Sequence, residues 1–177
     1  MDDLVAAALV KWPNVPNAHG WLGLDARGQW YLRDERVQAA GDFATSRGSL
    51  IEHARLIDFI GRNYAADAEG GWFFQNGPQR VYVDLEAAPW VWRLSLPAEP
   101  GAAPAVAAHT GQAARPASLW LDEAGRVYLD TDLGFGLVHS IDTAVAADVI
   151  ESGAWAPSQI ASASLAARFG FRLRPRP

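Results

Sequence analysis

The residues best suited to binding chemistry surround one predicted turn. Gln75-Asn76 follow directly on the paired aromatic residues Phe73-Phe74, and Gln79-Arg80 come after the Gly77-Pro78 turn. Amide and guanidinium groups form directional hydrogen bonds and aromatic rings stack, so this set suits a sugar, a nucleobase or a peptide backbone. Polar residues of the preceding predicted helix could join it. The candidate ligand-binding residues are Asp58, Arg62, Asn63, Phe74, Gln75, Asn76, Gln79 and Arg80. The alternative is ordinary turn and helix C-terminus chemistry, which favours the same residue types.

Four carboxylates offer a different chemistry. Asp84 and Glu86 share one strand face, and Asp130 and Asp132 share another. If the four converged in a cleft, they could act as the acid and base of a hydrolase-like enzyme or hold a cation. The competing interpretation is two strand faces turned towards water.

Other chemistry is poorly represented. The sequence has no cysteine, and it contains no Gly-x-Ser-x-Gly elbow, no phosphate-binding P-loop and no His-Glu-x-x-His helix. The histidines His19, His53, His109 and His139 share no ligand spacing. We therefore expect no metal and no cofactor, and only His109-Thr110-Gly111 remains as a further polar candidate.

Composition limits the class of partner. The net charge is −5 and half of the residues are hydrophobic, with eight tryptophans among 177 residues. A chain with net negative charge is a poor binder of nucleic acid. No window of the sequence approaches the ~18 apolar residues of a membrane-spanning helix. The absence of cysteine and of a secretory signal pattern at the N-terminus predicts a cytoplasmic location. The partner is expected to be a small molecule or a protein, with no nucleic acid and no membrane.

The elements that must position these residues show an internal repeat. The three segments 21–32, 72–83 and 118–129 align without gaps, and each reads as strand, turn and strand. Asp25 and Asp122 open turns that a glycine closes three residues later. The tyrosines Tyr31, Tyr82 and Tyr128 fall in register.

These hairpins predict an α+β fold with a mainly antiparallel sheet, built from three repeated β-hairpins with about four helices around it. The helices are expected over residues 3–11, 49–64, 142–152 and 157–168, the second opened by a capping box at Ser49. We expect a single domain over residues 1–177, with a first lobe 1–96, an Ala/Pro/Gly-rich loop 97–117 and a second lobe 118–177. A separate second domain of about 60 residues would be marginally stable.

Two stretches resemble a known family. They are Lys11-Trp12-Pro13-Asn14-Val15-Pro16 with the following Trp21-Leu22-Gly23-Leu24-Asp25, and the segment 72–83. Over roughly residues 11–95 the chain resembles an uncharacterised family of single-domain proteins of unknown function from proteobacteria. The resemblance implies a bacterial cytoplasmic setting, and it implies no activity, cofactor or site.

Three functions follow as hypotheses. The first is a non-catalytic binding or interaction module that uses the aromatic and amide-rich hairpin surface. The second is the carboxylate hydrolase, and the third is a structural homodimer joined through an apolar hairpin face.

Overall fold

A computed structural model describes residues 1–96 and 103–177 of the chain. The described residues form five α-helices and thirteen strands, which confirms the α+β class. They divide into two compact units. The first consists of Met1–Asp25, Gln29–Ala87 and Gly170–Pro177, and the second of Ala26–Gly28 and Ala88–Phe169.

The first unit carries a six-stranded sheet in the order β3-β2-β1-β6-β5-β4. Its elements are α1 (Asp3–Lys11), β1 (Ala18–Leu24), β2 (Trp30–Leu32), α2 (Glu35–Ala40), β3 (Ser49–Leu50), α3 (Ala54–Arg62), β4 (Tyr64–Ala66), β5 (Trp72–Asn76) and β6 (Gln79–Leu85). β1 and β6 are parallel, and the other neighbours are antiparallel.

The second unit carries a seven-stranded sheet in the order β13-β10-β11-β12-β7-β8-β9. Its elements are β7 (Trp90–Ser95), β8 (Ala105–Ala108), β9 (Ala113–Ala114), β10 (Pro116–Leu121), β11 (Val127–Thr131), β12 (Gly134–Val138), α4 (Thr143–Glu151), β13 (Pro157–Gln159) and α5 (Leu165–Phe169). β10 pairs in parallel with β13, and β12 with β7. The two sheets are therefore mixed, not built from antiparallel hairpins alone.

Tryptophans form much of the core in each unit. Trp30 is 2% exposed and packs edge-on against Tyr64, at 5.2 Å between ring centroids. In the second unit Trp90 and Trp92 stack at 5.8 Å, and their indole N–H groups donate to the carbonyls of Leu133 and Leu129. Burying the ring while satisfying the indole donor is the arrangement that a core tryptophan requires.

One turn geometry occurs at Asp25, Asp67 and Asp122. Each Oδ1 accepts the backbone N–H of the residue four positions later, at 2.9, 2.8 and 2.8 Å respectively. Each Oδ2 accepts a phenol O–H, from Tyr31, Tyr82 and Tyr128 in that order. The glycine three residues after each Asp has a positive φ, between 74° and 79°.

The middle turn differs from the predicted alignment. The Asp67 turn joins β4 to β5, whereas the aligned segment 72–83 forms β5 and β6 around a tight turn without Asp. Phe73 pairs with Tyr82 across these strands, so a neighbouring strand supplies the phenol. Three equivalent hairpins are therefore not what the structure shows, although the three tyrosines share a hydrogen-bonding role.

Two of the predicted helices are wrong in extent. Ser49 and Leu50 pair with β2 as a strand, so the helix begins at Ala54, where the His53 side chain accepts from the backbone N–H of Leu56. Pro157–Gln159 adds to the sheet beside β10, which leaves only α5 of the fourth helix. In both places strand pairing overrides local helix signals. The helices predicted over 3–11 and 142–152 are confirmed to within one residue at each end.

The predicted loop over residues 97–117 is wrong in its second half. β8 and β9 lie within it and β10 begins at Pro116, while residues 97–102 lie outside the described residues. Alanine-rich strands carry little periodic signal, which explains the error. Among the described residues, every helix is too short or too polar to cross a bilayer.

Candidate functional site

An apolar groove of about 460 Å³ opens on one face of the first unit's sheet. Side chains from β1, β2, β5, β6 and α3 surround it. We call it the apolar groove, lined by Ala18, Trp21, Leu22, Leu32, Ile51, Leu56, Ile60, Phe74, Asn76, Gln79 and Val81. Phe74, Asn76 and Gln79 of the predicted site belong to it.

Strand register explains how the groove forms. Phe74 lies opposite Val81, and Leu22 lies opposite Leu32, so these side chains project from the same face of the sheet. α3 supplies Leu56 across this face. Trp30, two residues before Leu32 on the same face of β2, is buried. At the groove, other side chains do not fully cover this face of the sheet.

Large apolar side chains remain accessible there. Leu32 is 55% exposed, Leu56 40% and Trp21 39%. Single exposed leucines are common, but apolar side chains gathered around a cavity mark binding surfaces more often.

Two amide side chains stand at the β5–β6 end of the groove. Gln79 donates from Nε2 to the carbonyl of Pro16 at 3.0 Å, which fixes the amide and leaves its oxygen as an acceptor. Asn76 is exposed, and its side chain makes no hydrogen bond to the described residues. An apolar cavity with a few polar groups at one end is the usual form of a small-molecule site.

The other predicted binding residues have structural roles away from the groove. Gln75 is 1% exposed and donates to the carbonyl of Gly77. Arg80 lies over the ring of Phe73, at 4.6 Å from its centroid, on the opposite face of the sheet.

The helix residues likewise do not reach it. Arg62 pairs with Asp2, and the buried Asn63 bonds the backbone N–H of Asp2 and the carbonyl of Phe59. Asp58 is exposed on α3 and does not line the groove. The alternative interpretation of helix C-terminus chemistry describes Arg62 and Asn63 well.

The carboxylates of the hydrolase hypothesis are divided between the units. Asp84 and Glu86 belong to the first, and Asp130 and Asp132 to the second. Asp84 is 0% exposed and binds two guanidinium groups, while Glu86 pairs with Arg47 at 2.6 Å. Three of the four carboxylates thus neutralise arginines, since Asp132 pairs with Arg115 at 3.1 Å. This arrangement gives the hydrolase hypothesis no support.

The histidine candidate His109 is part of the second unit's core. Burial lowers the pKa of its imidazole to about 3, so the ring is neutral. Nδ1 accepts from the backbone N–H of Val91, and the ring packs against Trp90 at 5.7 Å. Within the described residues, no three His, Asp or Glu side chains are grouped to hold a metal ion.

A family model decides the relationship of the chain to known proteins. The model described as "Protein of unknown function (DUF2946)" matches residues 1–176. The chain belongs to this family. The resemblance to an uncharacterised family is thereby confirmed, and it extends well beyond residues 11–95. A search of curated proteins found no match.

Two crystal structures of DUF1285 family proteins are similar to this DUF2946 member. The one from Shewanella baltica OS155 is 16% identical, with a TM-score of 0.49 over 72% of this chain and 91% of that chain. The one from Silicibacter pomeroyi DSS-3 is 14% identical, with a TM-score of 0.52 over 84% of this chain and 85% of that chain. The second likeness shows a similar fold, and at this identity it shows nothing about activity.

Sequence reasoning missed Trp21, Leu32 and Leu56. The alternation in β2 predicts Leu32 on the same side of the sheet as the buried Trp30, which is correct. It does not reveal that Trp30 is covered by other side chains whereas Leu32 remains exposed. A usable signal was the amphipathic spacing of Leu56 and Ile60 on α3, which marks the helix face that meets the sheet.

Proposed function

We propose that the chain is a non-catalytic binding module and that the apolar groove is its ligand site. The ligand is a small, largely apolar molecule that carries one hydrogen-bonding group. The observation that supports this most directly is the groove itself: exposed apolar side chains around a volume of about 460 Å³, with two amides at one end. This volume falls within the ~300–1,000 Å³ of ordinary ligand sites.

The two ends of the groove would recognise different parts of the ligand. The apolar part would lie against Phe74 at the base of the groove and would displace water from the exposed carbon surface of Trp21 and Leu32. The polar group would meet Asn76, which can donate and accept, and the oxygen of Gln79. We place the protein in the bacterial cytoplasm, as the lack of cysteine suggests.

A thermal-shift screen with matched helix variants tests the proposal. Ligands that bind the native state raise the melting temperature by mass action. We would screen medium-chain fatty acids, aromatic acids and indoles, and repeat each positive result on Leu56→Gln. The matched control is Leu4→Gln, because Leu4 is also an exposed helical leucine, 85% accessible, but lies outside the groove.

We expect Leu56→Gln to weaken binding by about tenfold, the effect of losing roughly one buried leucine's contact. Leu4→Gln should bind as the wild type does. If both variants bound equally well, the ligand would not occupy the groove. If no apolar compound bound, a second copy of the chain would become the better occupant, and light scattering would then have to show a dimer.

A further inference from the structure

A second cavity, of about 390 Å³, lies on the opposite face of the first unit's sheet from the apolar groove. Tyr82 lines it, and this residue alternates with Val81 along β6. We call it the polar cavity; the lining residues that matter here are Asn17, His19, Asp67, Tyr82, Arg172 and Arg176.

His19 is held in one orientation in this cavity. Its ring stacks on Tyr82 at 4.5 Å with the planes 6° apart, and Nδ1 lies 3.1 Å from the carbonyl oxygen of Pro175. A carbonyl can only accept, so Nδ1 carries the proton and Nε2 of the neutral ring is an acceptor. Nε2 makes no hydrogen bond to the described residues.

Asp67 and Tyr82 form a rigid support beneath it. The Tyr82 O–H donates to Asp67 Oδ2 at 2.8 Å, and Oδ1 accepts from the backbone N–H groups of Glu69 and Gly71. Burial alone would raise the pKa of Asp67, but these hydrogen bonds hold it below its ordinary value. These hydrogen bonds therefore stabilise the Asp67 carboxylate as an anion, and it does not need a cation as its partner.

Two arginine side chains, Arg172 and Arg176, line the polar cavity. Arg176 shares the single carboxylate of Asp84 with the buried Arg33, so this trio carries one positive charge in excess, which balances the anionic Asp67. Arg172 pairs with Glu69, whose side chain is 70% exposed. Such an exposed pair is weak, so a bound anion can replace Glu69 on Arg172.

From this geometry we propose that the polar cavity binds a small organic anion that also carries a hydroxyl group. Arg172 and Arg176 bind the acidic oxygens of a carboxylate or phosphate, which guanidinium groups match well. The hydroxyl donates to Nε2 of His19, and the Asn17 amide completes the polar wall. The cavity volume again falls in the range of ordinary ligand sites.

Isothermal titration calorimetry on the full chain at constant ionic strength tests this site. The probes are glycerol 3-phosphate, malate and inorganic phosphate, with glycerol as the uncharged control. We expect saturable binding of glycerol 3-phosphate or malate, weaker binding of phosphate and none of glycerol. Binding of glycerol 3-phosphate would indicate a phosphate ligand, and binding of malate would indicate a carboxylate ligand. Arg172→Ala should weaken binding by about tenfold or more. His19→Phe, which keeps a ring against Tyr82, should remove the preference over inorganic phosphate.

Two control variants separate this site from other effects. Arg115→Ala removes an exposed arginine of the second unit, 89% accessible, and should leave affinity unchanged. Leu56→Gln, in the apolar groove, should also leave it unchanged. The proposal is overturned if neither hydroxylated anion binds at millimolar concentration, or if Arg172→Ala and Arg115→Ala weaken binding equally. An unchanged preference in His19→Phe would overturn it as well.

Discussion

Replacing Arg33 with methionine tests how the polar face of the first unit is held together. Arg33 is 1% exposed, and Nη1 donates to Asp84 at 2.9 Å. Nε donates to the carbonyl of Ser46 at 3.0 Å and Nη2 to that of Gly41 at 2.6 Å. Methionine keeps an unbranched apolar stem and loses every donor.

The expected loss follows from these contacts. Removing one partner of a buried ion pair costs about 3–5 kcal/mol, chiefly because a charge is left uncompensated. Asp84 retains Arg176, so the charge is still neutralised, and we expect the lower end, about 3 kcal/mol, with the freed carbonyls contributing most of it.

Urea unfolding followed by circular dichroism, with linear extrapolation to water, measures this loss. The matched control is Arg36→Met, because Arg36 is exposed on α2 and should change the free energy of unfolding by less than about 0.5 kcal/mol. If Arg33→Met cost less than about 1 kcal/mol, the buried cluster would not be a main source of stability in this unit.

Three further substitutions test particular contacts by the same urea measurement. Tyr128→Phe removes the buried O–H that donates to Asp122 at 3.0 Å, and should cost about 1–2 kcal/mol; no loss would mean that the turn does not need the phenol. Gly23→Ala places a Cβ against the ring of Phe43 and should cost about 1–3 kcal/mol, whereas wild-type stability would show that the ring moves freely. Asp67→Asn removes a carboxylate whose pKa is lowered below 3.8, so the wild type should be more stable at neutral pH and this advantage should shrink as the pH falls below that value; a constant difference down to pH 3 would contradict the assignment.

Local patterns were enough to predict part of the fold. The turns at Asp25 and Asp122 carry their chemistry in four consecutive residues, and the first helix ends where Pro13 requires it to. Along β6, Val81 and Val83 alternate with Tyr82 and Asp84, as the period of two in the sequence predicts. The alternation does not predict that the β6 face with Tyr82 and Asp84 is buried, because polar residues of this kind usually face water.

The residues that cover this polar face of the sheet are distant from it in the sequence. The C-terminal arginines look like a solvated tail, yet Arg172, Arg174 and Arg176 pair with Glu69, Asp42 and Asp84 respectively. These partners are about a hundred residues away in sequence, and no local sequence pattern predicts such pairs. The parallel pairing of β1 with β6 is missed for the same reason.

The candidate site was predicted in part for a similar reason. Phe74, Asn76 and Gln79 were found because they cluster around one turn. Trp21, Leu32 and Leu56 come from three other elements, and only the folded sheet brings them to the groove.

A crystal structure of the chain grown with the tightest ligand of the thermal-shift screen tests the central claim most directly. The account predicts density for that ligand between Trp21, Leu32 and Phe74, with its polar group within hydrogen-bonding distance of Asn76 or Gln79. An empty apolar groove, with the ligand bound elsewhere on the molecule, would contradict it.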